Sequence, residues 1–344
     1  MYSTGIHGGR RAPLRIHRGH TLVIDRRPRA AEKTRYAGNG APPEVGRRGK
    51  LRTRLDATWS PYLFVAPFFV IFTIFGLFPL IFTAWVSLHE WDLVGQGAFV
   101  GLDNYAVLFG DPDFWNAVVN TIGMLVLATV PQLLLALILA SLLNQKLRGL
   151  TFLRMGVLIP IVTSVAAVGI VFSQIFDRDA GMVNGLLGLV GVDAVDWRAE
   201  RWSSWIAIST MVNWRWTGYN ALIYLAAMQS IPRDLYEAAT VDGASRIRQF
   251  RSITVPMIRP AIIFTVIIST IGGMQLFTEP LIFGQGTFAI AGGSLRQFQT
   301  VSMYMFEKAF REFDLGFGSA VAWMIFLLIT ILALVNFLLI RRAR

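Results

Sequence analysis

Ile231-Pro-Arg-Asp-Leu-Tyr-Glu-Ala-Ala-Thr-Val-Asp-Gly-Ala-Ser-Arg-Ile-Arg-Gln-Phe-Arg-Ser-Ile-Thr-Val-Pro256 lies between two long apolar runs and is itself too polar to enter hydrocarbon. It reads as two short helices. Pro232 suits a first helical position, Leu235, Ala238 and Ala239 share a face at i, i+3 and i+4, and Gly243 can take the positive φ that stops a helix. A second helix follows, with Ile247 and Phe250 three apart, and runs to Pro256. A small apolar helix flanked by Glu237 and Asp242, held outside the bilayer between two spans, has nothing of its own to pack against. The stretch is therefore expected to dock onto a partner.

Outward from this loop the chain is oily: 54% of its 344 residues are apolar and only 15% are charged. Six apolar runs are each long enough to cross roughly 30 Å of hydrocarbon, at 62–88, 117–143, 155–176, 203–228, 260–283 and 318–340. The expected fold class is all-α, a polytopic membrane protein with six transmembrane helices. Pro67, Pro79 and Pro131 fall inside these runs and predict kinks, because neighbouring helices can satisfy the freed carbonyls.

Charge sets the orientation. Lys and Arg are retained on the cytoplasmic side of short loops. Residues 89–116 carry five acids and no Lys or Arg, whereas 144–154 carry Lys146, Arg148 and Arg154, 229–259 carry five Arg, and the chain ends Arg341, Arg342, Ala343, Arg344. Both termini and the 144–154 and 229–259 loops are expected in the cytoplasm. The loops at 89–116, 177–202 and 284–317 then face outward.

The net charge of +11 does not argue for nucleic acid, since 14 of the 32 Lys and Arg lie within residues 1–58. That segment is rich in Gly, Pro and Arg and lacks an apolar period, so it reads as a disordered basic tail ahead of a membrane domain at 59–344. Its Leu22, Val23, Ile24 patch is too short for the apolar core of a signal peptide, and the first span is expected to do the targeting.

Several chemistries find no support. None of the four lysines sits in a Gly-x-x-x-x-Gly-Lys-Ser/Thr stretch, so this chain has no P-loop for ATP. The four histidines, His7, His17, His20 and His89, include no pair at zinc-protease spacing, and the absence of Cys removes thiolate metal sites, so neither a metal site nor a catalytic constellation is expected. The Asp111/Asp113 and Asp177/Asp179 pairs could hold Mg²⁺ for a glycosyltransferase, but both fall on the outer face and read as solvated loop charges. Gly284, Gly286, Gly292 and Gly293 read as a flexible outer loop.

Within the opening stretch, Glu237-Ala238-Ala239, Asp242-Gly243-Ala244, Phe250, Ile253, Pro256 and then Pro260 resemble the EAA loop of binding-protein-dependent ABC importer permeases. Val255 replaces the usual Leu before the closing Pro, a mild departure. Phe99-Val-Gly-Leu-Asp-Asn-Tyr105, Asn120-Thr121, Phe298-Gln-Thr300 and the run from Ala309-Phe310 to Gly318-Ser319-Ala320 resemble the maltose-type, carbohydrate branch. The resemblance covers about residues 60–344 and leaves the basic tail without a role.

This resemblance implies a type I importer permease in a bacterial cytoplasmic (inner) membrane, transporting a disaccharide or short oligosaccharide. Its partners would be a second permease subunit, two copies of an ATP-binding subunit that bind ATP and Mg, and an extracytoplasmic solute-binding protein. No cofactor would reside in this chain. Glu237, Ala238, Ala239, Asp242, Gly243, Ala244 and Pro256 would couple it to the ATPase. For the sugar path, amides, carboxylates and aromatic plates at membrane depth are sought, and Asn213, Trp214, Trp216, Tyr219, Asn220, Gln275 and Glu279 qualify. Arg215 amid them is expected to pair with an acid or to snorkel. The alternative is an ion-coupled secondary sugar transporter, for which only Glu279 offers a midplane carboxylate.

Overall fold

The computed structural model describes residues 47–145 and 149–342. Residues 1–46 of the basic tail with its three histidines, Lys146 and Arg148 of the basic loop, and the terminal Ala343 and Arg344 lie outside the described residues. The chain divides into two units between Ala66 and Pro67. The described part of the first, 47–66, is helical throughout and opens α1 (Arg47–Phe72). Residues 47–58, expected in the disordered tail, are thus the first turns of a helix.

In the second unit a single π turn, Thr73–Leu77, leads into α2 (Phe78–Val86). It sits just ahead of Pro79, whose missing N–H the widened turn accommodates. A short hairpin follows, β1 (His89–Trp91) antiparallel to β2 (Gln96–Phe99), with His89 opposite Phe99. Asp92 shapes its turn, its Oδ1 accepting from the amides of Val94 (2.7 Å) and Gly95 (3.1 Å). Then come α3 (Asp103–Gly110) and α4 (Pro112–Leu143), which passes through Pro131 unbroken.

Two expected spans are interrupted. The third is α5 (Leu150–Val162) and α6 (Val165–Ile175), bent by 91°. Pro160 lacks an N–H and Thr163 and Ser164 adopt extended backbone, which ends the helix there. The fifth, expected as 260–283, stops at Met274: α12 (Arg259–Met274) gives way at Gln275 to a separate α13 (Thr278–Gly284). Between these lie α7 (Met182–Leu189), α8 (Arg201–Gln229), α9 (Arg233–Val241), α10 (Arg246–Gln249), a π turn over Phe250–Thr254 and α11 (Val255–Met257). The chain ends in α14 (Val301–Phe306), a π turn at Glu307–Arg311 and α15 (Leu315–Arg342).

By length and composition, three of the described helices can cross a membrane, Ser60–Val86, Pro112–Leu143 and Leu315–Leu338, or five when Leu150–Val162 with Val165–Ile175 and Arg246–Met257 with Arg259–Met274, bent by 67°, each count as one span. At 29 residues α8 is long enough, about 44 Å at 1.5 Å per residue, but carries too many polar groups to qualify on composition alone. Its burial explains the tolerance. Ala117, Ala128, Ala136 and Ala140 of α4 and Ala207 and Ala221 of α8 are buried, and such small residues let two backbones approach closely where no hydrophobic effect drives helices together. Three apolar clusters line this framework. The one nearest the opening stretch joins Leu143, Tyr224, Met228 and Ile258.

Candidate functional site

Facing sides of α4, α8 and α12 enclose a cavity of about 290 Å³, closed at one end by the Gln275–Glu279 segment. Of the candidate path residues, Trp216, Tyr219, Asn220, Gln275 and Glu279 line it. Asn213 and Trp214 do not. Successive helical residues are about 100° apart, so Trp214 turns to the far side of α8. There it is 43% exposed and packs against Phe172 of α6 at 5.7 Å between ring centres. Asn213 is partly buried beside the cavity wall, with its Oδ1 buried and without a hydrogen-bond partner among the described residues. One aromatic pair remains on the cavity side, Trp216 edge-on to Tyr219 at 6.0 Å.

The polar lining residues not found from sequence are Thr129 and Gln132 on α4, Ser269 on α12 and Thr278 on α13. Gln132 is a polar group in the middle of an apolar run, the signal that could have found it. Gln132 and Asn220 are both buried, at 3% and 4% exposure, and face the cavity from α4 and α8. Neither side chain hydrogen-bonds to another group among the described residues, so their amides are available to a hydroxylated ligand.

Glu279 behaves differently from the other candidates. Arg215 Nη1 donates to its Oε1 at 2.5 Å, with Glu279 buried, so the carboxylate is already neutralised by the arginine of the neighbouring helix. The arginine also stands 5.9 Å from the Trp216 ring centre. The expected acid partner of Arg215 is therefore found 64 residues away in sequence.

Above the cavity, the Gly-rich segment is a folded cap rather than a flexible loop. Gly292 has φ +67° and lies against the backbone of Gln299 so closely that any Cβ would collide with it. Arg296 holds the cap down: its guanidinium meets Asp113 (3.0 Å), Glu307 (2.6 Å) and Gln299 Oε1 (2.7 Å), while its carbonyl accepts from Asn116 (2.8 Å) and Asn120 (2.9 Å). Burial alone would depress its pKa, but the hydrogen bond and charge of Glu307, then Asp113, outweigh this and raise it. Phe298, Gln299 and Thr300 are buried, and Thr300 Oγ1 donates to the Leu276 carbonyl at 2.6 Å, tying cap to cavity.

Of the two Asp pairs, Asp111, Asp113 and Asp177 use their carboxylates structurally rather than as merely solvated charges. Asp111 caps α4 by accepting from the Asp113 amide (2.7 Å) and takes a hydrogen bond from Tyr304 (2.5 Å). Asp177 accepts from the amides of Ala180 and Asp179, both at 3.1 Å, which hold its carboxyl below the usual range, with Arg198 adding to the effect. The Asn104 side chain donates to the carbonyls of Ser87 (2.9 Å) and His89 (3.2 Å), so the Phe99–Tyr105 signature locks the hairpin.

The opening stretch folds nearly as read. Gly243 has φ +75°, and the amides of Gly243 and Ala244 return to the carbonyls of Thr240 (3.0 Å) and Ala239 (2.9 Å). Pro232 is the residue before the helix rather than its first, and the second helical segment runs through Pro256 to Met257. The inward face is also different. Tyr236 and Ala239 turn toward the protein, and Tyr236 packs on the cluster around Leu143 and shares a 2.9 Å hydrogen bond with Thr254. Leu235, Glu237, Ala238 and Asp242 are exposed, Ala244 is partly buried and Pro256 is exposed. The loop thus has its own anchor, Tyr236, and still presents an uncovered apolar edge.

Comparison with known proteins follows from this arrangement. The lactose transport system permease protein LacF of Rhizobium radiobacter is 36% identical over 297 residues, covering 84% of this chain and 96% of that one. The trehalose/maltose transport system permease protein MalF of Thermococcus litoralis is 30% identical over 269 residues, 78% of this chain and 89% of that one. A solved bacterial ABC transporter for import of the acidic polysaccharide alginate shares the fold at TM-score 0.71 and 22% identity, over 85% of this chain and 99% of that one. Residues 107–344, which hold the cavity, its cap and the Tyr236-anchored loop, match the binding-protein-dependent transport system inner membrane component family, and the chain belongs to it.

Proposed function

We propose that this permease subunit forms half of the translocation path of an importer for a disaccharide or short oligosaccharide, with the sugar contacting the α4–α8–α12 cavity. The observation that carries this reading is the pairing of two buried amides without partners among the described residues, Gln132 and Asn220, with the Trp216–Tyr219 aromatic pair in one cavity. Amides match a hydroxyl rim and aromatic faces match the C–H faces of a sugar. Relatives named for lactose, arabinooligosaccharides and trehalose/maltose support the substrate class.

The rest of the machine follows from the division of labour in such a family. A second permease completes the path, two ATP-binding subunits dock on the 229–259 loop, and a solute-binding protein delivers sugar at the capped face. Glu237, Ala238, Asp242 and Gly243 seat α9 in the ATPase, while Ala239, Ala244 and Pro256 shape the loop behind it. Both termini and this loop face the cytoplasm, by the Lys and Arg distribution of the short loops. The basic segment at 1–58 is a cytoplasmic extension of the 59–344 membrane domain. ATP-driven closure of the partners biases which access state is populated. Among the described residues, the midplane carboxylate that an ion-coupled mechanism would use, Glu279, is held by Arg215. Co-reconstitution with the neighbouring permease, ATPase and binding protein should give ATP hydrolysis stimulated by sugar-loaded binding protein. ATP-independent, gradient-driven uptake by this chain would overturn the reading.

A further inference from the structure

A second cavity, of about 1110 Å³, lies where the ends of α4 and α8 meet the start of α5 and the α9–α10 loop. Three guanidiniums line it, Arg154 from α5, Arg233 from α9 and Arg246 from α10, against one carboxylate, Glu237. None of the three arginines makes an ion pair with a side chain among the described residues. Arg154 is the most telling. Its side chain is partly buried, and its Nε is fully buried with no hydrogen-bond partner among the described residues, so one donor of the guanidinium is left unanswered. A buried donor of this kind is normally satisfied, and a charged one more strictly than a neutral one. Asn144 and Gln145 at the end of α4 add amide donors to the same wall.

We infer that this cavity binds a phosphate group, held by Arg154 from one side and by Arg233 and Arg246 from the other. The planar fork of a guanidinium presents paired N–H donors that match two oxygens of one phosphate, and three arginines lining one cavity carry more charge than Glu237 can neutralise. Carboxylates of a partner protein would meet the same charge, but a tetrahedral anion can engage forks from several directions at once. Two sources supply this chemistry at the end of a transmembrane bundle: the headgroup phosphate of an anionic lipid and soluble phosphate or a phosphate ester. Leu150, Met228 and Phe250 on the same wall leave room for the glycerol and first methylenes of a lipid. Occupancy bridges the membrane helix α5 to the coupling loop and so stiffens the element that receives the ATPase. That consequence rests on the coupling reading above; the binding itself does not.

The test uses the assembled importer in two arms. In the first, complexes are extracted from phosphatidylcholine vesicles containing phosphatidylglycerol, and the phosphatidylglycerol retained per complex is measured by mass spectrometry. In the second, binding of radiolabelled inorganic phosphate is measured on complexes from phosphatidylcholine alone. Arg154→Gln combined with Arg246→Gln should cut binding by about a hundredfold or more in whichever arm is positive, the loss expected for two charge-assisted hydrogen bonds. Arg154→Lys should fall between, keeping the charge without the fork. Retention confined to the first arm assigns a lipid headgroup; phosphate binding in the second assigns a soluble anion. Equal binding in wild type and both variants, or no binding in either arm, overturns the inference. Should the double variant fail to assemble, the single Arg246→Gln change, at an exposed rim position, carries the comparison. These readouts need no transport, so failure of the sugar assignment leaves them interpretable.

Discussion

Arg215 of α8 and Glu279 of α13, which lines the membrane cavity, meet at 2.5 Å, joining two helices that no local pattern relates. A buried pair of this kind contributes little net stability when intact, yet loss of one partner strands a charge and costs about 3–5 kcal/mol. Glu279→Gln or Arg215→Leu alone should therefore lower the detergent-solubilised unfolding temperature clearly. The double change Arg215→Leu with Glu279→Leu should recover much of the loss. Equal destabilisation by single and double variants would show that the two residues act independently.

The cavity assignment separates neighbours on one helix. Asn220→Ala and Gln132→Ala each remove an amide facing the cavity and should raise the sugar concentration for half-maximal uptake about fivefold, near 1 kcal/mol apiece. Trp216→Ala should do the same or more. Trp214→Ala should leave uptake unchanged, because that ring lies against Phe172 on the opposite side of α8. Uptake assays at limiting sugar decide the matter, and a defect confined to Trp214→Ala would place the path elsewhere.

Coupling should fail in two distinguishable ways. Glu237→Lys reverses a charge on the exposed face of α9, and Gly243→Val forces a β-branched residue into a φ of +75°. Both should weaken ATPase co-purification or leave hydrolysis unmatched by uptake. Tyr236→Phe removes only the hydrogen bond to Thr254 and should loosen the loop by about 1 kcal/mol, slowing coupled uptake without abolishing docking. Paired ATPase and uptake measurements in proteoliposomes read all three.

Orientation is testable because the chain has no cysteine. Gln96→Cys, in the hairpin, should label with an impermeant thiol reagent in intact cells, and Gly149→Cys, at the start of α5, only after permeabilisation. The reverse pattern would invert the direction of transport.

Much about this protein could be read along the chain because partitioning between water and hydrocarbon is decided run by run. The approximate spans at 117–143 and 318–340, the separate loop around Glu237 and the left-handed Gly243 all follow from residue chemistry at short range. The breaks at Thr163 and Gln275 were not legible, since hydropathy continues through them while the backbone turns. Only the tertiary structure decided that Trp216 and not Trp214 faces the cavity, that Gln132 joins it from α4, and that the glycine-rich segment is pinned as a cap by Arg296. The physical reason is the same in each case. A helix carries polar and aromatic groups around its whole circumference, and which of them meets a ligand, an ion partner or lipid depends on what the neighbouring helices cover. For Arg215 that neighbour was Glu279, a contact set by packing across the bundle and absent from any local spacing.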